Sequence, residues 1–185
     1  MALVKKEAYF NSSNGVNKIR TLIWEDDELT PIGIVQLTHG MAEHILRYEP
    51  FIEKLTDEGY VVVGHDHVAH GESTKKENIG VLKNVDFMDE VLKVCKAVRD
   101  RYCALFEKGT SYLFSHSMGS MAAHRYIELY PNDFDKVILS GTDISSIKYS
   151  FGQKVFKMLV KKHGEISYPK ILDQLTMKPF NSKFK

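Results

Sequence analysis

The segment Ser111-Tyr-Leu-Phe-Ser-His-Ser-Met-Gly-Ser120 decides the fold, because it joins an apolar, strand-like run to a helix start with small residues. Ser117 stands at the junction, where a sharp strand-to-helix turn exposes the serine hydroxyl. The next backbone N–H then points at negative charge that develops during attack on a carbonyl. Such turns usually read G-x-S-x-G, and Ser115 replaces the first glycine here. We therefore predict that Ser117 is a nucleophile.

Apolar runs and turn residues predict alternating strands and helices on both sides of this segment. Two β-rich runs at 7–11 and 18–24 flank a turn-forming cluster and predict an antiparallel hairpin. Beyond Gly141 the alternation stops, and one helix is predicted at 151–162. An alternation of strands and helices is typical of a mostly parallel α/β sheet with helices on both faces. The other predicted elements are strands at 34–38, 60–64, 111–114 and 136–140, and helices at 50–58, 85–105 and 118–130.

Composition is that of an ordinary globular domain, with 43% apolar and 26% charged residues and a formal net charge of +1. This balance gives no reason to expect nucleic acid as a partner. Charge is unevenly distributed, however, because residues 148–185 carry nine lysines against only Glu165 and Asp173. We consider two interpretations of this basic segment: transient contact with an anionic membrane surface, and a solvated face.

The sequence lacks both an apolar run of about 18 residues and an apolar signal segment near its start. We therefore expect a cytoplasmic protein, with peripheral membrane contact as a hypothesis. Cys95 and Cys103 lie about 12 Å apart along a predicted helix, which is too far for a disulfide. Two reduced thiols are expected.

Two further polar motifs follow predicted strands. The first is His39-Gly-Met-Ala-Glu-His44, and the second is Asp66-His-Val-Ala-His-Gly-Glu-Ser73. Together with the Ser117 turn they fall at the carboxyl ends of parallel strands, where open α/β sheets form active sites. The three motifs resemble the α/β-hydrolase superfamily, and within it the serine hydrolases of the monoacylglycerol lipase or lysophospholipase-like branch. The resemblance extends from about Glu7 to the last residue.

The resemblance implies a serine hydrolase of carboxylic esters, with monoacylglycerols or lysophospholipids as the expected small-molecule substrates. It implies that the backbone N–H groups of Met41 and Met118 form the oxyanion hole beside Ser117. Neither a metal nor an organic cofactor is implied. The resembled fold has eight strands, of which about six are expected in this chain. Residues 1–141 would then be the N-terminal part of the hydrolase core, and 142–185 the incomplete start of a cap.

The general base for Ser117 cannot be assigned from the resemblance, because the family places its acid and histidine beyond the cap. His116 and His124 are close to Ser117 in sequence, but neither is expected to reach its hydroxyl. Asp143 and His163 are a formal alternative pair. We therefore expect the 185-residue chain alone to be a poor esterase.

The missing base leaves three interpretations of the chain. It is a C-terminally truncated hydrolase, half of a split enzyme completed by another polypeptide, or a non-catalytic interaction module. In each case the last predicted strand is an open sheet edge, which could pair with a completing chain or with a second copy.

A metal-dependent hydrolase is the competing chemical hypothesis. His65, His67 and His70 form an H-x-H-x-x-H pattern after an apolar strand, similar to the start of a metallo-β-lactamase-type zinc site. That family has an aspartate where Ala69 stands here, and it needs further ligands from later segments. The α/β-hydrolase resemblance interprets the same residues as a structural turn near the active site.

Overall fold

The computed structural model describes residues 3–82, 85–103, 106 and 110–142. The strands are β1 (Leu3–Asn11), β2 (Lys18–Asp26), β3 (Gly33–Thr38), β4 (Tyr60–His65), β5 (Thr110–His116) and β6 (Lys136–Ser140). The α-helices are α1 (Glu49–Asp57), α2 (Phe87–Tyr102) and α3 (Met118–Leu129), and short 3₁₀ helices span Ile45–Tyr48, Gly71–Ser73 and Lys76–Asn78.

The six strands form one sheet in the order β1-β2-β4-β3-β5-β6. The β1–β2 hairpin and the β2–β4 pair are antiparallel, whereas β3, β4, β5 and β6 pair in parallel. The α/β class with a mostly parallel sheet is thereby confirmed. Within the described residues β6 pairs only with β5, so the expected open edge lies at β6.

Several element boundaries differ by one to four residues from the sequence prediction, and two of these differences have a physical reason. The first strand begins at Leu3 instead of residue 7, because Lys5 bonds Glu49 at 2.7 Å and lies over the Trp24 ring. A lysine in the segment lowers its hydropathy, so the sequence pattern does not indicate a strand there. Helix α2 starts after Asp86, whose carboxylate caps it by accepting the backbone N–H of Asp89 at 3.0 Å.

Apolar clusters cover both faces of the sheet, and β4 shows how. Neighbouring side chains on a strand point to opposite faces. Val62 therefore joins a cluster with Ile52 of α1, whereas Val61 and Val63 join a cluster with Val98 of α2. The continuous apolar run that predicted a buried parallel strand is confirmed. Burial on both faces makes the central strands a rigid base for the loops at their ends.

The described part of the chain contains no helix that is long and apolar enough to span a membrane. Cys95 and Cys103 are buried and unpaired, in agreement with the expectation. Burial raises the pKa of the Cys103 thiol to about 12, so it stays protonated at neutral pH. The chain divides into two compact units, Met1–Asp143 and Ile144–Lys185. The predicted cap from residue 142 onward, with its helix at 151–162, lies outside the described residues except for its first residue and stays a prediction.

Among the described residues, three other than glycine adopt left-handed backbone conformations: Ala42, Ala69 and Ser117, with φ of 59°, 62° and 49°. Each lies in a loop that follows the carboxyl end of a parallel strand. A left-handed conformation costs an L-residue about 1–2 kcal/mol. Strain is therefore concentrated at the edge of the sheet where β3, β4 and β5 end.

We expect Ala42→Gly to stabilise the fold by about 0.5–1 kcal/mol. Glycine relieves the left-handed strain, and the exposed Ala42 methyl has little packing to lose, although the more flexible unfolded chain offsets part of the gain. Thermal unfolding should show a rise in Tm of about 1–4 °C. The control Ala97→Gly, in α2, should instead lower stability by about 1 kcal/mol. An equal loss in both variants would contradict the strain at Ala42.

Candidate active site

Ser117 occupies the sharp turn between β5 and α3. Its backbone has φ 49° and ψ −117°, and the helix begins with the next residue. Ser117 N–H donates to the Ser140 carbonyl at 2.8 Å, and the Ser117 carbonyl accepts from Ser120 N–H at 2.9 Å and Ser120 Oγ at 2.6 Å. The strained turn is thus held from the neighbouring strand and from the helix. It leaves the Ser117 side chain partly exposed at the edge of the sheet.

The Ser117 turn is pressed against the loop that follows β3. A Cβ on Gly119 would lie 2.6 Å from the His39 carbonyl oxygen and 2.7 Å from that of Thr38. A Cβ on Gly40 would lie 3.1 Å from Ser117 Cβ. Only glycine fits at position 119 without displacing backbone, and this requirement explains the final glycine of the motif.

The two predicted oxyanion donors flank this contact. Met41 follows Gly40 directly, and Met118 is the first residue of α3. Within the described residues neither backbone N–H has a hydrogen-bond partner. The positive end of the α3 helix dipole adds to the attraction of the Met118 N–H for negative charge. The Met41 side chain is exposed, and the role predicted for this residue needs only its backbone N–H.

Ser115 is buried, and its hydroxyl compensates for the missing glycine. Thr38 Oγ1 lies 2.6 Å from Ser115 Oγ, across the parallel β3–β5 pair. A buried hydroxyl without a partner would cost about 1–3 kcal/mol, whereas this pair satisfies both groups. The departure from the usual pattern is therefore accommodated by a partner on the adjacent strand.

The histidines after β4 bond to one another and to backbone. His67 Nε2 lies 2.8 Å from the His39 carbonyl oxygen, and His67 Nδ1 lies 3.0 Å from His65 Nε2. His70 Nδ1 lies 3.0 Å from the Val68 carbonyl oxygen. Burial lowers the pKa of His39 to about 4 and that of His65 to about 3.

These contacts bear directly on the zinc hypothesis. Each of the three imidazoles of the H-x-H-x-x-H pattern has a ring nitrogen in a hydrogen bond, either to another histidine ring or to a backbone carbonyl. In the part of the chain that the structure describes, no group of three or more His, Cys, Asp or Glu side chains is arranged to hold a metal ion. The contacts support the interpretation of this segment as a structural turn.

Asp66 is the residue around which the loop after β4 is organised. Its carboxylate accepts the backbone N–H groups of Ile45 at 2.8 Å and Glu72 at 3.0 Å. Ser73 Oγ donates to the Asp66 carbonyl at 2.7 Å and accepts from Arg20 N–H at 2.8 Å. Sequence reasoning quoted Asp66 without assigning it a role. The one feature of the sequence that could have indicated its role is the position of a carboxylate directly after a buried strand.

Glu43 is a second residue whose role sequence reasoning missed. Its carboxylate accepts the Gly40 N–H and the Tyr48 hydroxyl, the latter at 2.6 Å, and lies 3.4 Å from Arg47. Burial and the bond to Glu43 raise the pKa of the Tyr48 phenol. A glutamate three residues after a strand-end glycine is the signal that could have indicated it.

A cavity of about 350 Å³ opens between the Glu43 loop and the ends of β5 and β6. Its lining is mixed: the aromatic side chains are Tyr48, Phe51 and Phe114, and the polar ones are Glu43, Arg47, His116 and Ser140. A mixed lining of this kind suits an amphiphilic ligand.

No described residue is hydrogen-bonded to the Ser117 hydroxyl. His116 Nδ1 lies 3.2 Å from Ser140 Oγ, and His124 Nε2 lies 3.2 Å from Thr142 Oγ1. The bonds to Ser140 and Thr142 agree with the expectation that neither histidine serves Ser117. Asp143 and His163 lie outside the described residues.

We expect Gly119→Ala to destabilise the protein by about 2–3 kcal/mol, because its Cβ would overlap two backbone carbonyl oxygens. Helix propensity alone favours the alanine by about 1 kcal/mol, so the sign of the effect is informative. Urea unfolding monitored by circular dichroism measures it. A midpoint equal to or above that of the wild type would contradict the close approach.

Thr38 and Ser115 should show a coupling free energy of about 1 kcal/mol in a double-mutant cycle. Thr38→Val and Ser115→Ala each leave one buried hydroxyl unpaired, whereas the double variant removes both groups. Chemical unfolding of the four proteins gives the coupling. Additive effects of the two substitutions would show that the hydroxyls do not bond.

Known proteins with similar sequences agree with this fold. The chain is 27% identical over 138 residues to a monoacylglycerol lipase of Mycolicibacterium smegmatis, an alignment that covers 74% of this chain and 47% of the relative. It is 28% identical over 153 residues to the human monoglyceride lipase, covering 83% and 47%. The chain thus spans about half the length of these curated relatives.

A similar solved structure is that of a thermostable carboxyl esterase from Bacillus coagulans in complex with glycerol. Its TM-score is 0.77 at 28% identity, with 94% of this chain and 56% of that chain covered. The family described as "Serine aminopeptidase, S33" matches residues 30–178. Because this match spans most of the chain and includes all three strand-end motifs, the chain belongs to the serine aminopeptidase S33 family and has the α/β-hydrolase fold.

Proposed function

We propose that the protein is a serine hydrolase of carboxylic esters, with Ser117 as nucleophile and with monoacylglycerols or lysophospholipids as substrates. The observation that carries this proposal is the strained Ser117 turn in contact with the Gly40 loop. A backbone strain of this size persists only where surrounding contacts hold it, and such positions cluster at active sites.

The reaction would be acyl transfer. Ser117 Oγ attacks the ester carbonyl carbon, the hydroxyl proton passes to a base, and the carbonyl oxygen becomes an oxyanion. The N–H groups of Met41 and Met118 would hold that oxyanion, each contributing about 3–4 kcal/mol. Collapse of the tetrahedral intermediate releases the alcohol and leaves an acyl-serine, which water then hydrolyses.

The substrate class is supported by the names of the relatives and by the cavity. Two relatives are named for monoacylglycerol or monoglyceride lipase activity, and a further one is named probable lysophospholipase L2, from Haemophilus influenzae. The cavity beside the turn combines Phe51 and Phe114, whose ring centroids lie 5.1 Å apart, with the polar groups of Glu43 and Arg47. An ester with an apolar chain and a polar alcohol matches such a lining.

No described residue is hydrogen-bonded to Ser117 Oγ, and this observation supports a second candidate, a non-catalytic module or a half completed by another polypeptide. A serine hydroxyl is a weak nucleophile without a base to take its proton. The two candidates therefore differ in proton transfer and not in the position of the serine.

Labelling with a fluorophosphonate tests the proposal. We expect any label on the 185-residue chain to map to Ser117 by peptide mass spectrometry and to vanish in Ser117→Ala. Ser111→Ala is the matched control, because Ser111 lies at the far end of β5 with its hydroxyl on Asp135. It should label as the wild type does.

The extent of reaction separates the two candidates. Without a base we expect slow labelling of Ser117. We also expect the wild-type chain to hydrolyse a panel of monoacylglycerols at a rate close to that of Ser117→Ala. Rapid turnover by the wild-type chain would show that a base lies among residues outside the described part. A label at another residue would contradict the assignment of Ser117.

A further inference from the structure

The backbone polar groups just before Met41 are held by side chains. The His39 carbonyl oxygen lies 2.8 Å from His67 Nε2, and the Gly40 carbonyl oxygen lies 2.7 Å from His39 Nδ1. Gly40 N–H donates to the Glu43 carboxylate. The Met41 N–H is the next backbone donor, and it has no partner within the described residues.

Hydrogen-bond directions assign the proton on His39. The backbone N–H of His67, which can only donate, points at His39 Nε2 at 3.0 Å. Nε2 of His39 is therefore the acceptor, and the proton of a neutral ring must be on Nδ1. Nδ1–H then donates to the Gly40 carbonyl, which can only accept. The backbone groups of Gly40 and His67 therefore fix the Nδ1–H tautomer of His39.

The same logic extends the chain of bonds to two more rings. His67 Nε2 faces the His39 carbonyl and must carry a proton, so His67 Nδ1 accepts from His65 Nε2–H at 3.0 Å. His65 Nδ1 remains a buried acceptor without a partner in the described structure. Burial lowers the pKa of all three rings, which keeps them neutral at physiological pH. The charged or titratable groups that act on His39 across this cluster are His70, Asp66 and Glu43.

We propose that His39 and His67 are positioning residues that aim the Met41 N–H at the oxyanion of a Ser117 adduct. In a planar trans peptide the N–H of Met41 points opposite to the Gly40 carbonyl. Holding that carbonyl through His39 Nδ1–H therefore sets the direction of the donor. A donor oriented before the reaction avoids reorganisation when charge develops. The role in catalysis rests on the proposed hydrolase function, whereas the bonds themselves do not.

A packing role for the same histidines makes different demands. Packing requires ring volume only, and it accepts either neutral tautomer and also phenylalanine. Positioning requires the proton on Nδ1 of His39 and a donor at the Nε2 position of His67. Tautomer and donor variants therefore separate the two roles.

The first experiment is imidazole nitrogen NMR on the wild-type chain with ¹⁵N-labelled histidine, at pH 7. We expect the Nδ1-protonated neutral tautomer for His39 and the Nε2-protonated neutral tautomer for His65 and His67. A His39 ring protonated on Nε2 would overturn the proposal, because it could neither accept the His67 N–H nor hold the Gly40 carbonyl. Ser117→Ala should give the same tautomers, so this outcome is independent of the proposed hydrolase activity.

The second experiment measures the backbone order parameter of the Met41 N–H in three variants. His67→Phe keeps ring volume without a donor, and we expect its Met41 order parameter to fall from about 0.85 to below about 0.6. His67→Gln places an amide donor near the Nε2 position and should restore most of the order. His124→Phe, a histidine of α3 outside this cluster, is the matched control and should leave Met41 as in the wild type.

Two results decide the proposal. A folded His67→Phe protein with a Met41 order parameter equal to that of the wild type would show that the rings only pack, and would overturn it. If His67→Phe does not fold, the His39 tautomer in the wild-type chain decides alone.

Discussion

The close approach of Gly119 to the carbonyl groups of Thr38 and His39 is the contact on which the candidate site depends. It brings the first turn of α3 against the end of β3, with room for a hydrogen atom but not for a methyl group. This contact places Gly40 beside Ser117 and so puts both proposed oxyanion donors next to one hydroxyl. A larger separation would leave Ser117 without the loop after β3, which contains one of the two proposed oxyanion donors.

Close backbone contact at a sheet edge removes the N–H and C=O groups of the loops from water, so these groups need hydrogen-bond partners within the protein. Buried side chains from the same loops provide these partners. Asp66 binds two backbone N–H groups, Glu43 binds the N–H of Gly40, and the histidines bind carbonyls. Each of these polar side chains would lower the stability of the fold if it were buried without a partner. The hydrogen bond to a backbone group offsets that cost. Rigidity at the site therefore comes from a connected set of bonds and not from regular secondary structure.

Sequence patterns predicted the sheet and the serine turn because both follow from local rules. Apolar runs reveal buried strands, and a serine between a strand and small residues reveals the turn. The roles of Glu43, Asp66 and His67 could not be predicted, because they depend on which backbone groups lie opposite these side chains after folding. The extent of β1 was also missed, since Lys5 owes its place to Glu49 and Trp24, which lie far from it in the chain. The histidine pattern had two chemical interpretations until distances showed where its nitrogens are bonded.

Positioning of the proposed nucleophile and transfer of its proton are separate tasks. The first is supported within the described residues, because Ser140 of β6 and Ser120 of α3 hold the Ser117 turn and His39 holds the Gly40 carbonyl. The second would require a base, and no described residue is hydrogen-bonded to Ser117 Oγ. A fold that holds the oxyanion donors independently of the base would keep its geometry whether or not a base is present. The proposed hydrolase and the non-catalytic alternative would then differ in the proton acceptor, and the geometry of the site is compatible with both.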